Sequence, residues 1–237
     1  ALQEVETTSL RAGMGPTTQL ERFTRELRSR DIHYQAHHFH AHSYGSVYTT
    51  GLAVLVSERI TVEDTAVCDI THVRLPAFRA LKQRRIAAHL RLRGSSGRHL
   101  DLFNTHLSLP AFFEVGPHRV PERMGSGSNQ VCEVGNVLEF MRDRRTGQHA
   151  VLVGDFNALP GSDVYRQVLD AGLVDAFAVH QPRPWATARF GPRRMHIDHI
   201  FSDPDADWIG FDDHHIDTLG PLHGLSDHAP KAGRIRL

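Results

Sequence analysis

Residues 151–160 constrain the fold of this chain more than any other stretch. The apolar run Val151-Leu152-Val153 is of the type found in strands, Gly154 ends it, and Asp155 and Asn157 follow. Because side chains alternate along a strand, Asp155 and Asn157 are expected on the same side of its tip. A carboxylate there can bind a metal ion or take a proton, and an amide can hold water or a phosphate oxygen. The same residues also fit a strand that ends in an Asx turn, so this motif alone leaves both interpretations open.

Length and composition predict one domain over residues 1–237. The chain has 237 residues, of which 40% are hydrophobic, enough to bury a sizeable core. Its formal net charge is zero, so bulk charge neither indicates nor excludes a nucleic-acid partner, and any basic surface must be local. Arginines cluster in residues 82–85, 142–145 and 189–194. We find no signal peptide and no apolar segment long enough to span a membrane, and we expect a monomer; the compartment is left open.

Several other predicted strands place polar residues at their ends. Residues 1–5 are expected to end a strand with Glu4 at its tip. Residues 85–92 alternate, a Gly94-Ser95-Ser96-Gly97 turn follows, and residues 99–103 run back as the second strand of a hairpin. The polar residues that these and the later strands are predicted to present are Glu4, Asn104, His106, Asp155, Asn157, Asp198, Asp227 and His228.

The remaining elements are predicted from caps and periodicity. Thr18-Gln19-Leu20-Glu21 is a capping box that starts a helix. A helix around residues 131–141 is expected to stop at Gly147, and a second begins after Ser162 and closes at Gly172. Residues 60–70 are interpreted as a pair of short strands, residues 195–202 and 234–237 as further strands, and residues 108–128 as a long loop.

Two other segments contain residues of the types that bind metal ions. As a strand, the histidine-rich run 33–42 would align His38, His40 and His42 on one face, but it lacks the spacing and acidic partners of zinc sites. In Asp212-Asp213-His214-His215, neighbouring side chains of a strand point to opposite faces, so we interpret this segment as surface. Cys68 and Cys132 lack metal or redox spacing and are expected to be small core residues.

The strand-end residues together indicate a hard cation. Four carboxylates in one cleft would repel one another unless a divalent ion lay among them. Oxygen ligands with spare imidazoles favour Mg²⁺, with Mn²⁺ as an alternative, over zinc.

Five motifs stand in order along the chain: Leu2-Gln3-Glu4-Val5, Asn104-Thr105-His106-Leu107, Gly154-Asp155-Phe156-Asn157, Ile197-Asp198-His199-Ile200-Phe201 and Ser226-Asp227-His228. In type and order they resemble those of the endonuclease/exonuclease/phosphatase superfamily, which includes pancreatic deoxyribonuclease, exonuclease III-type AP endonucleases, neutral sphingomyelinases, inositol-polyphosphate 5-phosphatases and deadenylases. The resemblance spans almost the whole chain. It implies an α/β fold, a four-layer α/β sandwich of two mixed β-sheets flanked by helices, with the site along one edge.

The resemblance also implies a Mg²⁺-dependent phosphodiesterase that hydrolyses phosphate esters by in-line attack of water. By position, Glu4 resembles the principal metal ligand, joined by Asp227 directly or through water. Asp155 resembles the residue that orients or deprotonates the attacking water, and Asn157 the one that holds the water or the phosphate.

The remaining roles concern the phosphate oxygens and the leaving group. His228, steadied by Asp198, resembles the donor to a non-bridging oxygen. His106 resembles the histidine that assists the leaving group, and Asn104, beside it, is expected to contact substrate.

The sequence departs from the superfamily pattern at three places. Members have a first strand, upstream of the Glu4 motif, whose Asn helps to set the metal site; this sequence begins without Met after that point, so we expect that strand to be missing from it. Deoxyribonuclease-like members carry a Glu that supports the first histidine, whereas Lys82-Gln83-Arg84 offers no acid to His106. The usual Tyr after the strand Asp is replaced by His199.

Three function classes remain open. A nuclease acting on DNA or RNA is favoured, because Arg189, Arg193 and Arg194 precede the Asp198 strand and could meet phosphates. The alternative is a phospholipid, sphingomyelin or phosphoinositide hydrolase, for which the apolar residues Leu109, Phe112 and Phe113 in the long loop could touch a membrane. The third class is a non-catalytic binding module descended from these enzymes.

Overall fold

The structure is a computed structural model that describes residues 1–8, 18–44, 48–73, 82–110, 123–146, 149–180, 185–212, 214–217 and 226–236. The strands are β1 (Leu2–Thr8), β2 (Tyr34–Tyr44), β3 (Tyr48–Ser57), β4 (Thr61–Asp69), β5 (Ile86–Arg93), β6 (His99–His106), β7 (His149–Asp155), β8 (Val174–Asp175), β9 (Ala188–Phe190), β10 (Arg193–Met195), β11 (Asp198–Ser202), β12 (Trp208–Asp212) and β13 (Ala232–Ile235). The helices are α1 (Gln19–Ser29), α2 (Ser128–Arg144), α3 (Asp163–Asp170) and α4 (Ala176–His180).

A six-stranded mixed sheet forms the centre of the molecule. Its strand order is β4-β5-β6-β7-β11-β8, and β6 and β7 are its parallel pair. The predicted hairpin is confirmed, because β5 and β6 pair antiparallel across residues 94–97. β7 is buried along most of its length, as its apolar sequence predicts.

Apolar side chains on both faces of this sheet build four layers. On one face, Phe103 and Leu152 pack with Val134 of α2 and Val168 of α3. On the other, residues of β5, β7 and β11 pack with Val54 of β3 and with residues of β12 and β13. β1, β3 and β2 form a separate antiparallel sheet, β12 and β13 form a hairpin-like pair, and α1 packs outside β1 and β2. The α/β sandwich predicted from the sequence is therefore confirmed.

Several predicted boundaries need correction. Residues 61–69 form one strand with a bulge between Val62 and Asp64, not two short strands. The strand expected over residues 195–202 is divided into β10 and β11, because His196 and Ile197 lie between them. Helix α2 ends at Arg144, before Gly147, which lies outside the described residues. The last strand covers Ala232–Ile235 instead of residues 234–237.

The predicted helix caps are confirmed. The Thr18 hydroxyl accepts from the Glu21 N–H at 3.1 Å, and the Glu21 carboxylate accepts from the Thr18 N–H at 2.8 Å. Ser162 caps α3, and Gly172 follows its end with φ +89°. No helix among the described residues is long and apolar enough to cross a membrane.

The histidine-rich run forms β2, and its register against β3 shifts between His40 and His42. Among the described residues, no group of potential metal ligands includes a histidine of this strand. In the segment 212–215, the side chain of Asp212 pairs with Arg234, and Asp213 lies outside the described residues. Cys68 is half-buried and Cys132 is exposed, so the prediction of a core position is wrong for Cys132.

Candidate active site

Three adjacent strands bring the main site residues into one row. His106 ends β6, Asp155 ends β7 and Asp198 begins β11. His106 is the register partner of Asp155 across the parallel pair, and Asp155 is the register partner of Asp198 across the antiparallel pair. Because residues in one register row point to the same face of a sheet, the side chains of these three residues converge.

Gly154 lets β7 approach β6 immediately before this row. Its φ is +151°, and a Cβ at this position would overlap the carbonyl oxygen of Thr105. A larger residue would push the two strands apart beside Asp155. The glycine of the motif is therefore a geometric requirement of the row.

Hydrogen bonds fix the turn that follows β7. Asn157 has φ +47°, and its N–H donates to Oδ1 of Asp155 at 2.8 Å. Its Nδ2 donates to the Leu107 carbonyl at 2.9 Å, and Gln130 Nε2 donates to the Asn157 carbonyl at 2.9 Å. Asp155 and Asn157 are thus held beside the end of β6, as the alternation of side chains predicts.

His228 and Asp198 form an ion pair at the edge of the row. Nδ1 of His228 lies 2.9 and 3.1 Å from the two carboxylate oxygens of Asp198. Burial alone would lower the pKa of His228, but the hydrogen bond and the charge of Asp198, with Asp155 and Asp227 nearby, raise the pKa to about 9. His228 is therefore a cation at neutral pH.

The segment that carries His228 is held by the strand pair β9 and β10. The Ala229 N–H donates to the Thr187 carbonyl at 2.6 Å, and the Arg189 N–H donates to the Asp227 carbonyl at 3.0 Å. Ala188 and His228 form an isolated bridge. These main-chain bonds place His228 opposite Asp198.

Asp155 has the properties of a base that works near neutral pH. It is 7% exposed. Burial and the charge of Asp198 raise the pKa of Asp155 to about 7, although His228, the Asn157 N–H and Arg85 act in the opposite direction. A carboxylate with such a pKa accepts a proton from water more readily than an exposed one.

On its Nδ1 side, His106 contacts a cation instead of an acid. Its Nδ1 lies 3.0 Å from Nη1 of Arg85, and its Nε2 lies 3.4 Å from Oδ2 of Asp155. Burial, together with the charges of Arg85 and His228, lowers the pKa of His106 well below its ordinary value. His106 is therefore a neutral imidazole, and Arg85 is the partner that the sequence did not reveal.

The row opens into a cleft of about 910 Å³. Its polar wall includes Glu4, Arg85, His106, Asp155, Asn157, Arg189, Asp198, Asp227 and His228. Its inner wall between the sheets is apolar, formed by Leu100, Leu102, Val151, Val153 and Ile200. One cleft thus adjoins the polar row and an apolar compartment.

The prediction that Glu4 stands at a strand tip is wrong. Glu4 lies inside β1, at a register shift between Leu2 and Val5, and has φ +53°. Its side chain is 67% exposed, and Oε1 lies 4.0 Å from Nδ1 of His106. The bulge nevertheless brings Glu4 to the wall of the cleft, with the exposed Asp227 on the same wall.

Asn104 does not reach the cleft, so its predicted contact with substrate is corrected. It lies two residues before the end of β6 and is completely buried. Its Oδ1 accepts from Gln3 Nε2 at 2.7 Å, and its Nδ2 donates to the Leu2 carbonyl at 3.2 Å. Asn104 therefore ties β6 to β1 across the two sheet layers.

The predicted arginines separate into two kinds. Arg189 lines the cleft, whereas Arg193 and Arg194 do not. Arg189 and Arg194 are register partners on β9 and β10, and Asp217 binds both side chains. Arg189 is therefore the arginine of this cluster that is placed to meet a substrate. In the long loop, Leu109 is exposed, and Phe112 and Phe113 lie outside the described residues.

The side chains of the row include potential ligands for a metal ion. Asp155, Asp198 and His228 offer ligand atoms within 4.8 Å of one another. However, Nδ1 of His228 is engaged with Asp198, so this imidazole is not the ligand while the ion pair persists. The donors of this group that remain are carboxylate oxygens of Asp155 and Asp198, and the carboxylates of Glu4 and Asp227 line the same cleft. Oxygen donors of this kind suit a hard divalent cation.

Comparisons with known proteins agree with this geometry. A family model described as Endonuclease/Exonuclease/phosphatase family matches residues 1–228. A search of curated protein sequences found no match. Among solved structures, an endonuclease/exonuclease/phosphatase family protein from Leptotrichia buccalis has a TM-score of 0.69 at 16% identity, covering 99% of this chain and 86% of its own.

Two further structures have named chemistry. ANGEL2, a 2′,3′-cyclic phosphatase solved with adenosine-2′,3′-vanadate, has a TM-score of 0.67 at 14% identity, covering 100% of this chain and 81% of its own. The human Nocturnin catalytic domain with bound sulfate has a TM-score of 0.62 at 19% identity, and the match covers 86% of this chain and 72% of the Nocturnin chain. At these identities the likeness establishes the shared fold.

Proposed function

Because the chain belongs to the endonuclease/exonuclease/phosphatase family, we propose that it is a divalent-metal-dependent hydrolase of phosphate esters that acts on nucleic acid. The observation that carries the proposal is the row of His106, Asp155 and the Asp198–His228 pair in one cleft. This row supplies a base and a neutral donor on adjacent strands, and a cation held against Asp198 of the third strand.

In this proposal each group has one task in the attack of water on phosphorus. Asp155 orients the water and takes its proton, since its pKa is close to neutrality. The His228 cation, held by Asp198, donates to a non-bridging phosphate oxygen, and Asn157 holds the water or the phosphate. His106 donates from Nε2 toward the leaving oxygen.

The proposed metal is Mg²⁺, with Mn²⁺ as an alternative. Glu4 and Asp227 would hold it. The ion would supply positive charge to the phosphate as negative charge builds up in the transition state. This assignment follows from the oxygen-rich donor set on the cleft wall.

Nucleic acid is favoured as the substrate because Arg85 and Arg189 lie on the cleft wall, where phosphates could meet their guanidinium groups. ANGEL2, a 2′,3′-cyclic phosphatase whose structure holds adenosine-2′,3′-vanadate, has the same fold. The apolar inner wall favours a second candidate, a phosphodiester that carries an apolar group, such as a phospholipid.

A substrate panel tests the proposal. Duplex DNA, single-stranded RNA, a 2′,3′-cyclic nucleotide, sphingomyelin, a phosphoinositide and bis(4-nitrophenyl) phosphate are incubated with the protein and Mg²⁺, with and without EDTA. We expect EDTA-sensitive hydrolysis of a nucleic-acid substrate that Asp155→Asn abolishes. Hydrolysis of the lipids alone would transfer the assignment to the second candidate, and no hydrolysis of any substrate by folded protein would favour a binding module.

A further inference from the structure

Arg85 occupies the place where an acidic partner of His106 would be expected. It immediately precedes β5, and its Nη1 lies 3.0 Å from Nδ1 of His106. Among the residues that the structure describes, the nearest carboxylate oxygen on this side of the ring belongs to Glu4 and lies 4.0 Å away, beyond hydrogen-bond length. Arg85 is therefore the group that decides which ring nitrogen of His106 carries the proton.

The chemistry of guanidinium leaves one arrangement. Arginine has N–H donors and no acceptor, and it stays protonated in proteins. Nδ1 of His106 must therefore present its lone pair to Arg85, and the proton of the neutral ring must lie on Nε2. Nε2 faces Oδ2 of Asp155 at 3.4 Å and the cleft beyond it.

We propose that Arg85 is a positioning residue that holds His106 as the Nε2–H tautomer, so that His106 acts in the cleft as a hydrogen-bond donor and not as a base. This inference rests on the proposed function only for its catalytic consequence. The tautomer itself follows from the contact. An acidic partner would instead accept a hydrogen bond from Nδ1–H, and Nε2 would then carry the lone pair and could accept a proton.

As a consequence, His106 and Asp155 have different tasks, one as hydrogen-bond donor and the other as base. With Nδ1 occupied and Nε2 protonated, His106 has no lone pair to offer to water, so the base in the row is Asp155. His106 can donate to Asp155 when substrate is absent and to a phosphate or leaving oxygen when substrate is bound. Nδ2 of Asn157 donates to the Leu107 carbonyl at 2.9 Å and also lies 3.4 Å from Nε2 of His106, as far away as Oδ2 of Asp155. The shorter contact of the ring, 3.0 Å between its Nδ1 and Arg85, therefore sets the tautomer.

Nitrogen-15 NMR of the histidine side chains tests the tautomer directly. Uniformly labelled, metal-free protein is compared with the Arg85→Lys, Arg85→Glu and Arg84→Met variants, and His106→Gln assigns the resonances. Arg84 is the matched control, because this neighbouring arginine pairs with Asp69 and lies outside the cleft. We expect an unprotonated Nδ1 and a protonated Nε2 in the native protein, in Arg85→Lys and in Arg84→Met.

Arg85→Glu should move the proton to Nδ1 and lower phosphoester hydrolysis on the order of 10²-fold, while Arg84→Met should leave the rate unchanged. A native protein whose His106 carries its proton on Nδ1 would overturn the inference, even if the glutamate variant fails to fold. An unchanged tautomer in folded Arg85→Glu would overturn it as well. If no substrate is hydrolysed, the proposed function fails while the NMR result still decides the tautomer.

Discussion

Strand β11 carries two neighbouring residues, Asp198 and His199, that form similar histidine–aspartate pairs on opposite faces of the sheet. Asp198 pairs with His228 in the cleft, where the two side chains are 16% and 32% exposed. His199 pairs with Asp175 in the core, where the two side chains are 0% and 3% exposed. The first pair can therefore be reached by a substrate, whereas the second is enclosed in the core and can only stabilise the fold.

The core pair uses all of its hydrogen-bonding capacity. Nε2 of His199 donates to the Ala158 carbonyl at 2.8 Å, and Nδ1 lies 3.2 Å from Oδ2 of Asp175. Asp175 also accepts from the N–H groups of Phe177 and Ala178 and from the Tyr165 hydroxyl. Both ring nitrogens of His199 therefore face acceptors inside the core.

In the cleft pair, one ring nitrogen of His228 is left available for a substrate. Nδ1 of His228 is engaged with Asp198, and within the described part of the chain no hydrogen-bond partner is found for Nε2. A donor without a protein partner, held at the edge of a cleft, can serve a phosphate oxygen. In the proposed function, the same chemical pair thus acts on substrate on one face of the sheet and holds the fold on the other.

The largest expected effect is on the cleft side. His228→Gln should lower kcat about 10²–10³-fold, because it removes a charged donor to the phosphate. Its melting temperature should stay close to that of the native protein. The double variant with Asp155→Asn should lose little more than the worse single variant, since groups that act as a unit are non-additive. Steady-state kinetics check this, and fully additive losses would show that the two residues serve separate steps.

Replacing His199, on the core side, should lower the stability of the protein instead of its activity. His199→Ala leaves the Asp175 carboxylate buried without its main partner, so we expect a loss of about 3–5 kcal/mol in the free energy of unfolding. kcat, measured where the variant remains folded, should fall less than about tenfold. Urea unfolding and kinetics on one preparation provide the test. A stable but inactive variant would contradict the division between the two faces.

Asp155 should show the cost of keeping a base buried. Because its pKa is raised in the folded protein, ionisation destabilises the fold as pH rises through about 7, and below the unfolded pKa this penalty is absent. Asp155→Asn should therefore stabilise metal-free protein at pH 8 by roughly 1–4 kcal/mol, and much less at pH 4. Thermal unfolding at the two pH values measures the difference. Equal gains at both would exclude a raised pKa as the cause.

The smallest expected effect concerns substrate binding at the rim of the cleft. In an Asp155→Ala background, Arg189→Ala should reduce the slope of log affinity for DNA against log salt by about one unit. Arg194→Ala is the matched control, because Arg194 shares Asp217 with Arg189 but does not line the cleft. A reduced slope in both variants would mean that the whole cluster faces the nucleic acid.

The sequence predicted that strand ends bring these polar residues together, for a physical reason. Residues that end apolar strands are brought together by sheet pairing, and alternation decides the face, so His106, Asp155 and Asp198 could be placed without coordinates. Gly154 and the Asn157 turn belong to the same local pattern.

What the sequence could not predict depends on contacts between distant segments. The bulge that moves Glu4 to the middle of β1 arises from pairing with β3. The depth of Asn104 depends on its contact with Gln3, 101 residues away. Arg85 belongs to a basic cluster that resembles a solvated surface, and only the hairpin places it against His106. The spacing of Asp175 and His199 gives no local signal of their pairing.

The most direct test of the account compares the two faces of β11 in one measurement. kcat for the best nucleic-acid substrate, with saturating Mg²⁺, is determined for Asp198→Asn and His199→Asn at a temperature where circular dichroism shows both folded. The account predicts that Asp198→Asn loses at least about 10²-fold and His199→Asn less than about tenfold. Equal losses, or a larger loss for His199→Asn, would contradict the assignment of catalysis to the row of His106, Asp155 and the Asp198–His228 pair.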